Sequence, residues 1–203
     1  MMKFQCLRCG TCCCPINEVN KTRYIPIYLD EIDRILLFAK KFNKKIILKP
    51  DLIYPDIKNK QLIISTFEMV IKEKCEFFEN GCLIYENRPI TCKAYPVMVW
   101  RENAHRTLLH IDPKCNFVLK NPIIYEYNFS ELTKIFSNEY KYATEIMKKG
   151  QEILYKILQL EMDNKIDIGF LRNNKSLYGL EIDITKLYSY QNWKLVKLTD
   201  LIV

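Results

Sequence analysis

Residues 4–14 read FQCLRCGTCCC, and the reading of this stretch decides the fold. Cys6, Cys9 and Cys12 follow one another with two residues between each pair. At that spacing a tight loop wraps a metal while its backbone amides point at sulfur, and Gly10 supplies the turn. Three thiolates in one register are far more specific than a lone pair, so the chain is expected to fold around metal held by cysteine. Cys13 adjoins Cys12. Neighbouring α-carbons lie about 3.8 Å apart and their side chains usually diverge, so one mononuclear ion is not expected to take both. The economical assignment gives Cys6, Cys9 and Cys12 to a first centre, and Cys13 to a second centre or to another atom of a polynuclear one. Each then needs ligands from afar, and Cys75, Cys82, Cys92 and Cys115 are available. Eight thiolates would make two four-thiolate sites; how the distal four divide is open.

Nine cysteines in 203 residues admit a disulfide framework or a set of metal ligands, and the compartment decides between them. The opening MMKFQCLRCGTCCC has no apolar run after Lys3 and so does not read as a signal peptide. No stretch approaches the roughly eighteen uninterrupted apolar residues of a membrane span. A soluble cytoplasmic protein is expected, and a reducing cytosol favours metal over disulfide. With 49% hydrophobic residues the chain is also long enough to bury a core.

A formal net charge of +7 suggests nucleic acid, but that count treats every cysteine as neutral. Two four-thiolate sites, each about two negative once loaded, lower it to about +3. The lysines, among them Lys40, Lys41, Lys44, Lys45, Lys148 and Lys149, are scattered and not interleaved with aromatics. They read as a solvated surface, and nucleic acid is not the expected partner.

All cysteines fall before Pro122, which divides the chain into a cysteine-bearing part, 1–122, and an extension, 123–203. From Tyr28 to Phe42, Ile32, Ile35, Leu36 and Ala39 recur at helical spacing and predict an amphipathic helix. Lys45–Lys49, Lys60–Thr66 and Glu68–Glu73 are short β-branched runs punctuated by Pro50, Pro55 and Asn59, and read as strands. Val97–Arg101 and Arg106–Ile111 flank a polar stretch and predict a hairpin. In the extension, Asn128 with Glu131 three residues on forms a capping arrangement, and apolar residues from Leu132 to Leu158 continue at helical spacing. That pattern predicts a helix running to about Asn164, its stripe docked within the chain. From Ile166 onward, around Gly169 and Gly179, the pattern assigns no element.

Other candidate ligands and chemistries are few. His105 and His110 both fall in the hairpin and either could replace a cysteine, although a lone histidine is more often solvated or hydrogen-bonded. No Ser-His-Asp logic, phosphate-binding loop, dinucleotide fingerprint or HExxH is present, so nucleotide hydrolysis and metalloprotease chemistry are unsupported. A catalytic residue is not assigned. Arg88 could donate toward cluster sulfurs or an anion; the more routine role is to fix the loop before Pro89 by pairing with Glu86 or a carbonyl.

Residues 75–96 read CEFFENGCLIYENRPITCKAYP. Paired with FxCxxCGxCC near the start, this CxFxxxxCxIYExRPxxCxxYP pattern resembles the YkgJ-type cysteine-cluster family, described as zinc- or iron-chelating proteins, over Phe4 to Cys115. The resemblance implies eight metal ligands, Cys6, Cys9, Cys12, Cys13, Cys75, Cys82, Cys92 and Cys115. Cys14 departs from the pattern, as a spare buried thiol or an alternative ligand. The family also has a helix after the first cluster, similar to Pro26–Leu37 here. A related domain occurs in flagellin lysine methylases, where an iron–sulfur cluster has been implicated; this implies a part in a protein-modifying system.

Four-thiolate sites suit both zinc and iron–sulfur clusters. Zinc sites commonly pair one CxxC with another, whereas six, nine and twenty-two residues separate the distal cysteines here. Clusters accept three grouped thiolates and a remote one, so the spacing leans toward iron–sulfur, as a 4Fe–4S cluster. Two functions follow: a redox or radical-chemistry accessory serving a protein partner, or an interaction module knit by structural zinc. The expected fold is α+β, an irregular cysteine-rich domain with short strands and a helix, followed by a long C-terminal helix and extension.

Overall fold

The structure, a computed structural model, describes residues 2–14, 22–168 and 193–202. After the N-terminal cysteine loop come β1 (Arg23–Tyr28), α1 (Ile32–Lys41), β2 (Ile47–Pro50), β3 (Ile53–Asp56), β4 (Gln61–Ile64) and β5 (Thr66–Ile71). A short helix α2 (Ile90–Ala94), the hairpin β6 (Val97–Arg101) and β7 (Thr107–Ile111), and α3 (Asn116–Lys120) carry the chain to α4 (Phe129–Ile135) and α5 (Ser137–Met162). A last strand, β8 (Lys194–Lys197), follows. The architecture is α+β.

One sheet has the order β1-β5-β2 and is antiparallel throughout; a second has the order β3-β4-β8, with β8 parallel to β4. The run expected as one strand over Lys60–Thr66 serves both sheets. Buried Ser65 breaks it, giving its hydroxyl and its amide to the Leu52 carbonyl at 2.9 Å each, so that β4 ends in one sheet and β5 begins in the other. β1 and β3 were not expected, and both contain proline. The helix that the resemblance places over Pro26–Leu37 begins at Ile32, because Pro26 to Tyr28 pair with Glu68 to Thr66 of β5. Within α1, Ile32, Ile35 and Ala39 are buried while Leu36 faces solvent, so the apolar stripe is narrower than its spacing predicts.

The expected hairpin forms, with Val97 opposite Ile111. Asn128 caps α4 as its spacing predicts: its side chain accepts from the Glu131 amide at 3.1 Å and the Glu131 carboxylate accepts from the Asn128 amide at 2.9 Å. One continuous helix to Asn164 does not form. The chain turns at Phe136, fully buried, whose backbone leaves helical angles between α4 and α5. That turn lets α4 and α5 present apolar faces in different directions. α5 docks on α2 and β6, with Ala143 in one core beside Val97 and Cys115, and Ile157 and Leu160 in another beside Ile63 and Val196. The second core is tied by Asp56, wholly buried, which accepts from the Asn59 side chain at 2.6 Å, the Gln61 side chain at 2.8 Å and the Asp167 amide at 2.9 Å. Three donors on one carboxylate make that burial tolerable.

Gly150 interrupts α5 with open space where a β-carbon would stand. Gly150→Ala is expected to stabilise the chain by about 0.5–1 kcal/mol, because alanine loses less backbone entropy in a helix interior. Thermal unfolding should show a higher midpoint; a lower one would mean that this part of α5 is not helical in solution. Among the described residues no helix is long and apolar enough to cross a membrane.

Candidate metal centre

The N-terminal loop is pinned at both ends. The Phe4 amide donates to the Ile135 carbonyl at 2.8 Å, and its ring packs against Phe117 and Phe136, with centroids 5.0 and 5.2 Å away. At the other end the Cys75 amide donates to the Cys13 carbonyl at 2.7 Å, and Arg23 Nη1 donates to the Cys12 carbonyl at 2.8 Å. Between these anchors the Cys13 amide closes a turn onto the Gly10 carbonyl at 2.8 Å, with Gly10 at φ +82°. Only a residue without a β-carbon reaches that conformation cheaply.

The distal cysteines arrive on separate elements. Cys75 and Cys82 flank a reversal after β5, where Asn80 and Gly81 both take positive φ. Cys92 sits in α2, which is held to the first sheet twice: buried Glu31 accepts from the Ile90 amide at 2.9 Å, and the Thr91 hydroxyl donates to the Pro26 carbonyl at 2.9 Å. Cys115 caps α3. The fold brings all eight expected ligands to one cavity of about 110 Å³. Cys6, Cys9, Cys12 and Cys13 line it from the loop, Cys75 and Cys82 from the reversal, and Cys92 and Cys115 from the two short helices.

Cys14 does not line this cavity; it is half-buried, and burial raises its pKa. Neither histidine lines it either: His105 is exposed in the hairpin turn, and His110 lies beside Trp100, ring centroids 6.5 Å apart. All nine cysteines are free thiols, with no disulfide between them.

Backbone amides aim at the sulfurs in a repeated way. By hydrogen bonding, the backbone amide of Phe77 lowers the pKa of Cys75 and that of Ile84 lowers Cys82, while at the start of α3 the amides of Val118 and then Phe117 do the same for Cys115. Such bonds favour the charged sulfur that a metal requires. Burial works against them. It is the largest influence at each of these thiols: it pushes Cys75 up to about 11, raises Cys82 and Cys115, and carries Cys92 well above the ordinary thiol range.

Cys12 is the exception. It is lowered to about 7, first by the hydrogen bond it shares with Cys13, the two sulfurs 3.7 Å apart; burial opposes the shift, and Arg23 and Arg88 assist it. Cys13 moves far upward for the same reason, as the partner that keeps the proton. The side chains of this adjacent pair converge, where the sequence predicts divergence. The charge of Cys12 adds to the upward shift of Cys13, Cys75, Cys82, Cys92 and Cys115.

The donors fit a thiophilic metal. Eight thiols line the cavity, with no carboxylate or imidazole among them. Soft sulfur selects zinc or iron–sulfur over magnesium or calcium. Arg8, Arg23 and Arg88 stand around it to offset thiolate charge. The guanidinium groups of Arg8 and Arg88 lie over the Tyr85 ring at 4.3 and 3.9 Å. Arg88 Nε donates to the Tyr85 carbonyl at 2.8 Å, so its loop-fixing role is met through a carbonyl rather than through Glu86. Among the described residues no three Cys, His, Asp or Glu side chains close to the geometry of a single ion; the sulfurs surround a space instead.

Sequence reasoning missed Tyr85, Arg8 and Arg23 as parts of this wall. Tyr85 and Arg8 lie within quoted motifs, but only the fold shows them stacked. Compared with known proteins, residues 5–117 match the CxxCxxCC family model, described as "Putative zinc- or iron-chelating domain". No curated protein and no solved structure matches the chain significantly.

Proposed function

Because this chain belongs to the CxxCxxCC family of zinc- or iron-chelating domains, we propose that its eight thiols hold a polynuclear iron–sulfur centre with a redox role. The carrying observation is that all eight sulfurs, with no other metal donor, line one cavity of about 110 Å³. A mononuclear zinc site needs four sulfurs drawn to about 3.8 Å of one another, given Zn–S bonds near 2.3 Å. A polynuclear core instead takes thiolates from around its periphery.

When bound, such a centre supplies one-electron transfer. The chain's own part is to aim the amides of Phe77, Ile84 and Phe117 at sulfur, to offset negative charge with Arg8, Arg23 and Arg88, and to exclude water with Phe4, Phe77 and Phe117. Loading releases protons, since most of these thiols are neutral in the free protein at neutral pH. The role is that of an electron-transfer accessory to a partner enzyme in the cytoplasm.

A second reading, structural zinc, is favoured by one distance. Cys12 and Cys13 sulfurs 3.7 Å apart match an edge of a tetrahedral zinc site. Anaerobic purification separates the two. The iron–sulfur reading expects coloured protein with broad visible absorption, bleached by reductant, and iron and acid-labile sulfide in equal amounts. Colourless protein retaining zinc through dialysis would replace it with the zinc reading.

A further inference from the structure

On the far side of Arg88 from the thiols lies a second cavity of about 210 Å³, walled almost wholly by charged residues. Arg88 lines both cavities. Part of this wall is already paired within the protein. Arg34 Nη2 donates to Glu31 at 2.9 Å and Arg34 Nη1 to the Asn87 carbonyl, while Lys149 donates to Asp30 at 2.6 Å and lies over the Tyr28 ring. Buried Glu31 has its two oxygens filled by Arg34, the Ile90 amide and the Tyr28 amide.

Three charged groups facing this cavity have no such partner. Among the described residues, Lys93, Glu145 and the Nη groups of Arg88 form no ion pair or hydrogen bond; Lys93 only approaches the Tyr142 ring, at 5.6 Å. The four elements that bring them there are unrelated in sequence: the turn before α1, α1 itself, the 85–93 segment and the middle of α5. Two cations and one anion thus face a space large enough for a small organic ion, and a planar guanidinium beside an ammonium suits a carboxylate.

We infer that this cavity binds a small ammonium carboxylate of the amino-acid kind. Its carboxylate lies between Arg88 and Lys93, and its amine faces Glu145. Charge argues for that class over a simple anion: four cations and three carboxylates line the cavity, an excess of one positive charge. A phosphate dianion would meet Glu145, the carboxylate of this wall without a partner, with no group to answer it. A ligand carrying its own ammonium satisfies Glu145 and leaves its carboxylate charge to Arg88 and Lys93. The inference does not depend on which metal the thiols hold.

The test is calorimetric titration of the full metal-replete chain with L-glutamate, succinate and inorganic phosphate, with metal content measured for every variant. Glutamate should bind most tightly. Lys93→Gln should weaken glutamate and succinate alike by about tenfold, the scale for losing one charge-assisted hydrogen bond. Glu145→Gln should weaken glutamate about tenfold while leaving succinate unchanged or tighter. No binding of glutamate at millimolar concentration, or phosphate binding more tightly than glutamate, overturns the inference. So does an equal effect of Glu145→Gln on glutamate and succinate. Because metal content is read in parallel, loss of the thiol centre is seen separately from loss of this site.

Discussion

Gly10→Ala is expected to abolish metal retention and, with the metal lost, to lower the unfolding midpoint. At φ +82° a β-carbon is strained whatever surrounds it, by about 1–2 kcal/mol. Here it would also stand 2.5 Å from Phe78 Cζ and 2.9 Å from Phe78 Cε1. Phe78 does not yield freely, since its ring packs against the first hydrophobic core and lines the thiol cavity. Relief must come from the loop, and the loop is the turn between Cys9 and Cys13. Metal per chain after gel filtration, with the unfolding midpoint beside it, reads the outcome. Gly81→Ala is the contrast, because at φ +147° it carries the backbone strain without the clash, nothing lying within 4 Å of a β-carbon; it should lower the unfolding midpoint yet retain metal. Wild-type metal content in Gly10→Ala would show that the loop geometry is not what holds the site.

Cys12→Ser should be the most damaging of the single cysteine replacements. Cys12 is the thiol pushed down, to about 7, and its charge is felt by Cys13 and by all the distal cysteines. A hydroxyl at that place stays protonated and cannot serve as a soft ligand. Structural metal contributes on the order of 10–16 kcal/mol of apparent binding energy, so its loss should lower the unfolding temperature sharply. Cys14→Ser, one turn of the same loop away and outside the cavity, should keep full metal content. Equal loss in both variants would indicate general damage to the loop rather than removal of a ligand.

Local pattern and long-range geometry were not equally legible in the sequence. The capping pair Asn128 and Glu131, the hairpin around Glu102 to Arg106 and the buried face of α1 follow from spacing alone, because neighbours within a few residues settle them. The prolines misled. Pro50 and Pro55 read as punctuation and Pro26 as the start of a helix, yet each lies within a strand, and β1, β2 and β3 are all edge strands. Proline lacks a donor only on one side, and an edge leaves one side unpaired. β8 had no local signal, since its parallel partner β4 lies more than a hundred residues earlier. The break at Phe136 has no glycine or proline to mark it; it follows from burial against Phe4 and Phe117, which arrive from elsewhere. At the cavity, the cysteines that line it and their grouping in the chain were legible. The convergence of Cys12 and Cys13 was not, because it is imposed by the clip to Cys75 and the arginines behind.

The hydrogen bond from the Cys75 amide to the Cys13 carbonyl has a bearing on the order of events at the ribosome. Four thiols of the set emerge first, and some sixty residues of translation separate Cys13 from Cys75, with Cys115 later still. Until then the early segment has neither its docking strand nor its remaining ligands. The nascent chain therefore carries bare, adjacent sulfhydryls through much of its own synthesis, and on the proposed reading metal insertion belongs to the end of that interval rather than its beginning.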